Sequence, residues 1–206
     1  AAAAKNKLES LAAKVDKQVE IIVEEGYAPD LINHHALAVD IVVVGQGDPE
    51  EENNTQSRYI AEEIVVSSPR PVLIIPAAGN YRNFGKHVIV GWNNTREASR
   101  ALHESMPFLQ MAEKVTLLSV NATDDEEDET KHILAHLERH GVKAEYKAGR
   151  WPDLSVGDAI LDALVDYSAD MLVMGAYGHS RLREMILGGA TKNILEHMTA
   201  PVLFAH

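Results

Sequence analysis

The chain repeats itself at an offset of 130 residues. Asp40-Ile-Val-Val-Val-Gly45 is matched by Asp170-Met-Leu-Val-Met-Gly175, and Pro71-Val-Leu-Ile-Ile75 by Pro201-Val-Leu-Phe-Ala205. Both pairs share the offset, so the stretches from Asp40 to Pro71 and from Asp170 to Pro201 align without a gap. A period this long exceeds those of solenoids and reads as a duplicated domain. Each block is an apolar run, a helix-length stretch and a second apolar run. That pattern is a βαβ unit, which demands a parallel pair of strands joined by a right-handed crossover.

The second copy reads as β-α-β-α-β-α-β-α-β. Its strands are expected at His87–Trp92, Val115–Val120, Val142–Tyr146, Met171–Met174 and Val202–Phe204. Between them fall helices over Arg96–Gln110, from the acidic run Asp124–Glu129 to Gly141, over Asp158–Tyr167 and over Thr191–His197. In the third of these, Ile160, Leu161, Leu164 and Val165 are expected to be buried. Subtracting the offset places Ala1 opposite Lys131. The first copy is therefore expected to begin at its second helix, Ala2–Val15, without its two opening strands. It continues with strand Val19–Val23, a short helix near Leu31–Ala38, strand Ile41–Val44, helix Tyr59–Val66 and strand Val72–Ile75. The domains expected are 1–79, incomplete at its start, a linker at 80–85, and a complete domain at 86–206. The expected fold is α/β: a doubly wound, five-stranded parallel sheet with helices on both faces, duplicated.

Composition narrows the chemistry. Cysteine is absent, which excludes disulfides, zinc–thiolate sites and thiol nucleophiles. A formal charge of −12 opposes phosphate-backbone binding, so no nucleic-acid partner is expected. No apolar run reaches the roughly 20 residues that span a bilayer, so no membrane partner is expected. A cytoplasmic setting follows from this reading.

The chemistry-bearing segment is Gly175-Ala-Tyr-Gly178, nine further residues, then Gly188-Gly189-Ala-Thr191 opening a helix. Glycines let backbone N–H groups approach an anion, and a helix start adds unpaired donors and a favourable dipole. Two such turns can clamp a di- or triphosphate. The first copy lacks this set. It has Gly45-Gln-Gly47 followed by Asp48 and Glu50–Glu52, with Arg58 and Tyr59 in the places of Gly188 and Gly189. Carboxylates there repel phosphate, so this copy is expected to be a degenerate partner.

The spacing G-x2-G-x9-G resembles the signature of the universal stress protein family, and the closing Ala200-Pro-Val-Leu is similar as well. The resemblance implies a fold of the adenine nucleotide alpha hydrolase-like kind with strand order 3-2-1-4-5. In one branch of the family it implies bound ATP, with or without magnesium. Carried over by position, the adenine side is Gly91, Trp92, Asn93 and Val120. The phosphate and ribose side is Met174, Gly175, Tyr177, Gly178, Gly188, Gly189, Ala190 and Thr191. Asn93 stands where the nucleotide-binding pattern has an acid, and Gly189 where the motif has Ser or Thr. Trp92 is expected either to stack on a base or to fill the pocket. Arg181, Arg183 and Lys192 are further candidates for phosphate contact.

His132, His136 and His140 share one helical face at i, i+4 and i+8, a spacing that suits zinc, on a face expected to be solvent-exposed. No general base or nucleophile stands out, so at most slow ATP hydrolysis is expected. The competing readings are a dimerisation or interaction module that binds no nucleotide, and a weak metal- or nucleotide-dependent hydrolase. The resemblance also implies pairing between the two copies, or between chains, through the closing strands Pro71–Ile75 and Pro201–Ala205.

Overall fold

The computed structural model describes residues 2–15, 17–47, 54–123, 128–178 and 189–206. Its elements run α1 Ala2–Ala12, α2 Ala28–Ala36, β1 Val42–Gly45, α3 Asn54–Ser67, β2 Val72–Ile75, β3 His87–Gly91, α4 Arg96–Glu104 and α5 Met106–Met111. They continue with β4 Lys114–Val120, α6 Lys131–Arg139, β5 Ala144–Gly149, α7 Val156–Asp166, β6 Met171–Gly175, α8 Ala190–His197 and β7 Val202–Ala205.

All seven strands join one sheet in the order β1-β2-β7-β6-β3-β4-β5. The five strands from residue 87 onward are parallel and lie 3-2-1-4-5, as the resemblance implies. The central strand β3 starts from a fixed point: the Asp170 carboxylate accepts the N–H groups of Gly85, Lys86 and His87 at 3.1, 3.2 and 2.9 Å. The sheet is covered on both faces. Val88, Val90, Leu73 and Leu203 pack with Leu102 of α4, Leu109 of α5 and Leu137 of α6. Ile89, Leu172, Ile74 and Phe204 pack with Ile64 of α3, Ile160 of α7 and Ile194 of α8. Alternate residues of one strand thus serve opposite layers, as the pleat requires.

The offset seen in the sequence recurs in the ladder. β1 pairs β2 as Val42↔Val72 through Gly45↔Ile75, and β6 pairs β7 as Leu172↔Val202 through Gly175↔Ala205. Each pair is the other shifted by 130. The flanking bonds follow: Val42 N–H to Pro71 O and Leu172 N–H to Pro201 O, then Gln46 N–H to Ile75 O and Ala176 N–H to Ala205 O. β2 and β7 lie antiparallel as Val72↔Phe204, Leu73↔Leu203 and Ile74↔Val202. Adding 130 to one partner and subtracting it from the other returns the same set, so this junction has a local two-fold at Leu73 and Leu203.

Three sequence expectations are corrected. Val19–Val23 forms no strand, and Val19, Ile22 and Val23 are each about half exposed. A strand exists through its ladder, and β1 is the edge of the sheet, paired with β2 alone among the described residues. The helix expected over Arg96–Gln110 divides at Ser105, because Pro107 has no N–H to bond back and crowds the preceding turn. Val165 is exposed, since the buried stripe of α7 is Ile160, Ala163 and Leu164 and the next position turns outward.

Candidate functional site

The strand order reverses between β3 and β6: from β3 the chain moves to β4 and β5, then returns to β6 on the other side. In open α/β sheets this is where ligands sit, beyond the carboxyl ends of the strands. Gly91 ends β3, Val120 ends β4 and Gly175 ends β6. Gly178 and the start of α8 are drawn to the same edge.

Each glycine of the turn has its own reason. A Cβ on Gly175 would lie 2.6 Å from the Glu97 carbonyl carbon and 2.7 Å from Ala98 N, so the first turn of α4 seats directly on this backbone. Among the described residues, a Cβ on Gly178 would meet the end of a side chain, Glu97 Oε2 at 3.3 Å. Gly175 is therefore needed for packing, whereas at Gly178 the described backbone stays clear of an added Cβ. Tyr177, between them, adopts φ +46, the left-handed region. Its N–H donates to Thr191 Oγ1 at 3.4 Å and its hydroxyl to Glu62 Oε1 at 2.6 Å. Thr191 is buried and Ala190 half-buried at the start of α8, which Gly189 opens in extended conformation without a side-chain cap. The first N–H groups of an α-helix have no partner inside it, so α8 offers donors beside the turn. Met174 is buried beneath it. Gly188, Arg181 and Arg183 lie outside the described residues.

On the other side, Trp92 is 6% exposed and packs with Ala98, Leu102 and Leu117 in the layer under α4. Its indole N–H donates to Asn94 Oδ1 at 2.6 Å, and its backbone carbonyl accepts from Ser119 Oγ at 2.9 Å. Its ring belongs to the core and is not offered to a base. Asn93 is exposed and its Oδ1 accepts from Thr95 Oγ1 at 2.7 Å, while Thr95 caps α4 by accepting from Ala98 N–H at 3.2 Å. Val120 remains half-buried at the rim.

Two residues escaped the sequence reading. Glu97 is 2% exposed, with Arg96 Nη2 3.1 Å from its Oε1. It puts a buried carboxylate beside the glycine turn. Trp151 lies across Gly149, where an added Cβ would fall inside its ring, and Gly149 is paired with Val120. Asn121 clamps it, accepting from Trp151 N–H at 2.7 Å and donating to Trp151 O at 3.2 Å. The half-buried indole thus lies over the strand pair that ends at Val120 and Gly149. A tryptophan followed by proline after a glycine-ended strand was the available signal.

Among the described residues the first half builds no equivalent. The position matching Ala190 is Ile60, and there α3 has already run several residues from Asn54, so its N–H groups are spent within the helix. Gln46, matching Ala176, donates to Leu195 O at 2.8 Å and accepts from Ala77 N–H at 3.2 Å. Residues 48–53 lie outside the described residues. Lys192 lines a groove between α3 and α8 with Gln46, Tyr59, Glu62 and Glu196. Of the histidine face, His132 and His140 are exposed and His136 half-buried, stacked between His103 and His140 at ring-centroid distances of 4.9 and 4.3 Å. Among the described residues no group of three His, Asp or Glu is placed to hold a metal ion. Nor is any described helix long and apolar enough to cross a membrane.

Comparison with known proteins decides the family. The model of the universal stress protein family matches residues 85–206, more than half of the chain. The chain belongs to the universal stress protein family. It is 24% identical over 210 residues to a universal stress protein of Synechocystis sp., covering 98% of this chain and 69% of that one. Its fold is similar to that of a universal stress protein from Archaeoglobus fulgidus, with TM-score 0.78, 17% identity, and 98% and 75% of the two chains covered. It is also similar to a universal stress protein solved in complex with cAMP, with TM-score 0.50, 19% identity, and 59% and 96% covered.

Proposed function

We propose that this universal stress protein is a nucleotide-responsive regulatory protein that binds one ATP per chain, in its second half. The observation that carries the reading is the glycine turn at the strand-order reversal, with the start of α8 tied to it through Thr191 and Tyr177. Gly175 and Gly178, the backbone of Gly189 and Ala190, and Thr191 form the phosphate side, completed by Gly188. Gly91, Asn93 and Val120 form the adenine side, with Trp151 as its apolar wall. The cAMP named for a structural relative is an adenine nucleotide and fits the same assignment. The first half, whose helix start is displaced, acts as a structural and regulatory partner within a tandem pseudo-dimer, in a cytoplasmic setting.

Calorimetry with Mg-ATP and mass measurement of co-purifying nucleotide test this. One site per chain is expected. Gly178→Val, which among the described residues meets a side-chain end, should abolish binding while leaving the thermal midpoint nearly unchanged. Two equal sites, or full affinity in Gly178→Val, would overturn the assignment.

A further inference from the structure

Tyr177 sits in the centre of the glycine turn, in a backbone region that bulky L-residues avoid. Such a conformation persists only where the surroundings over-determine it. Its backbone tether is long, 3.4 Å to Thr191 Oγ1. Its side-chain tether is short, 2.6 Å from the hydroxyl to Glu62 Oε1, with a carboxylate as acceptor. Glu62 belongs to the other half of the molecule. It is carried by α3, whose Ala61, Ile64 and Val65 are buried in the common core, so its backbone is a rigid reference point. A second cross-connection lies alongside: Gln46, just past β1, donates to Leu195 O of α8. The first half thus grips both parts of the proposed site in the other half, the turn through Glu62 and the helix through Gln46.

We propose that Glu62 is a positioning residue for the glycine turn. Through the Tyr177 hydroxyl it holds the left-handed conformation that sets the course of the backbone into Gly178, so the first half sets the second half's affinity for its nucleotide. The affinity clause rests on the ATP reading above; the conformational clause does not. Any ligand or partner that draws on Glu62, in the groove it shares with Gln46, Tyr59, Lys192 and Glu196, would loosen the turn.

Hydrogen exchange on the ligand-free protein reads the turn directly. Glu62→Ala and Tyr177→Phe are expected to speed exchange at residues 176–178 by about tenfold, the loss of one charge-assisted bond, while β3 and β6 keep wild-type protection. Glu62→Gln, which retains an acceptor oxygen, should restore most of the protection. In a Tyr177→Gly background, where positive φ costs little, Glu62→Ala should add no further effect. ATP affinity should fall by about tenfold in the same two variants. Unchanged exchange at the turn in both Glu62→Ala and Tyr177→Phe overturns the proposal whatever ATP does. A turn that responds in a wild-type protein with no ATP affinity removes the nucleotide reading and leaves the positioning role in place.

Discussion

His136 illustrates how a residue's meaning changes once its neighbours are known. Along the helix it is one of three evenly spaced histidines. In the fold it is wedged between His103 of α4 and His140 of its own helix, and its Nε2 is buried without a hydrogen bond. Desolvation, together with the neighbouring His140, His103 and Arg139, holds its pKa below the ordinary value near 6.5. His87 is lowered likewise, first by burial and then by Lys114. A group whose folded pKa is depressed leaves the unfolded chain binding more protons, so stability rises with pH through that window. Both contributions are present above about pH 6.5 and are lost as pH falls towards the lowered values. Chemical denaturation between pH 7.5 and 5 should show declining stability, and His136→Gln should flatten part of that decline. An unchanged pH slope in His136→Gln would remove the cluster from this account.

The decisive element-scale feature is the antiparallel seam between β2 and β7. It converts two βαβ units into one sheet and brings α3 beside α8, which is what allows Glu62 to reach Tyr177. Pro71 and Pro201 immediately precede the two strands, where a missing N–H costs no ladder bond. Leu203 sits on the local two-fold opposite Leu73, and both side chains are buried. Leu203→Ala should cost about 2–5 kcal/mol by loss of packing and the cavity left behind. Leu203→Asp should cost more, because a carboxylate there has no partner. Hydrogen exchange in Leu203→Ala should then rise together in residues 72–75 and 202–205. Loss of protection in one strand with full retention in the other would mean that the seam does not couple the halves.

At the scale of the molecule, the two repeat units share a ladder but not an environment. Val173 in β6 is fully buried between β7 and β3, whereas Val43, its counterpart at the same offset in the edge strand β1, is 56% exposed. The same residue type at the same ladder position thus meets core in one unit and solvent in the other. Val173→Thr should therefore destabilise by about 1–3 kcal/mol, the cost of burying a hydroxyl without an assured partner, while Val43→Thr should stay within about 0.5 kcal/mol. Urea denaturation of the two variants compares them directly. Equal losses would show that β1 is covered in solution.

The primary structure alone determined the repeat, the order of strands and helices after residue 85, the parallel sheet and the glycine turn. These are local or periodic properties: β-branched runs, turn residues and helical spacing appear wherever the chain is read. The glycine that ends β6 was legible for the same reason. What only the tertiary structure decided depends on residues far apart in the chain. Val19–Val23 has strand composition but no ladder. Trp92 suits either stacking on a base or filling the pocket, and α4 and β4 decide between them by burying it. Glu97 reads as an ordinary first-turn acid until Gly175 packs against its backbone, and Trp151 as a loop residue until it lies on Gly149. Glu62 has no local signal at all, because its role arises from a seam that places residues 115 apart within one hydrogen bond.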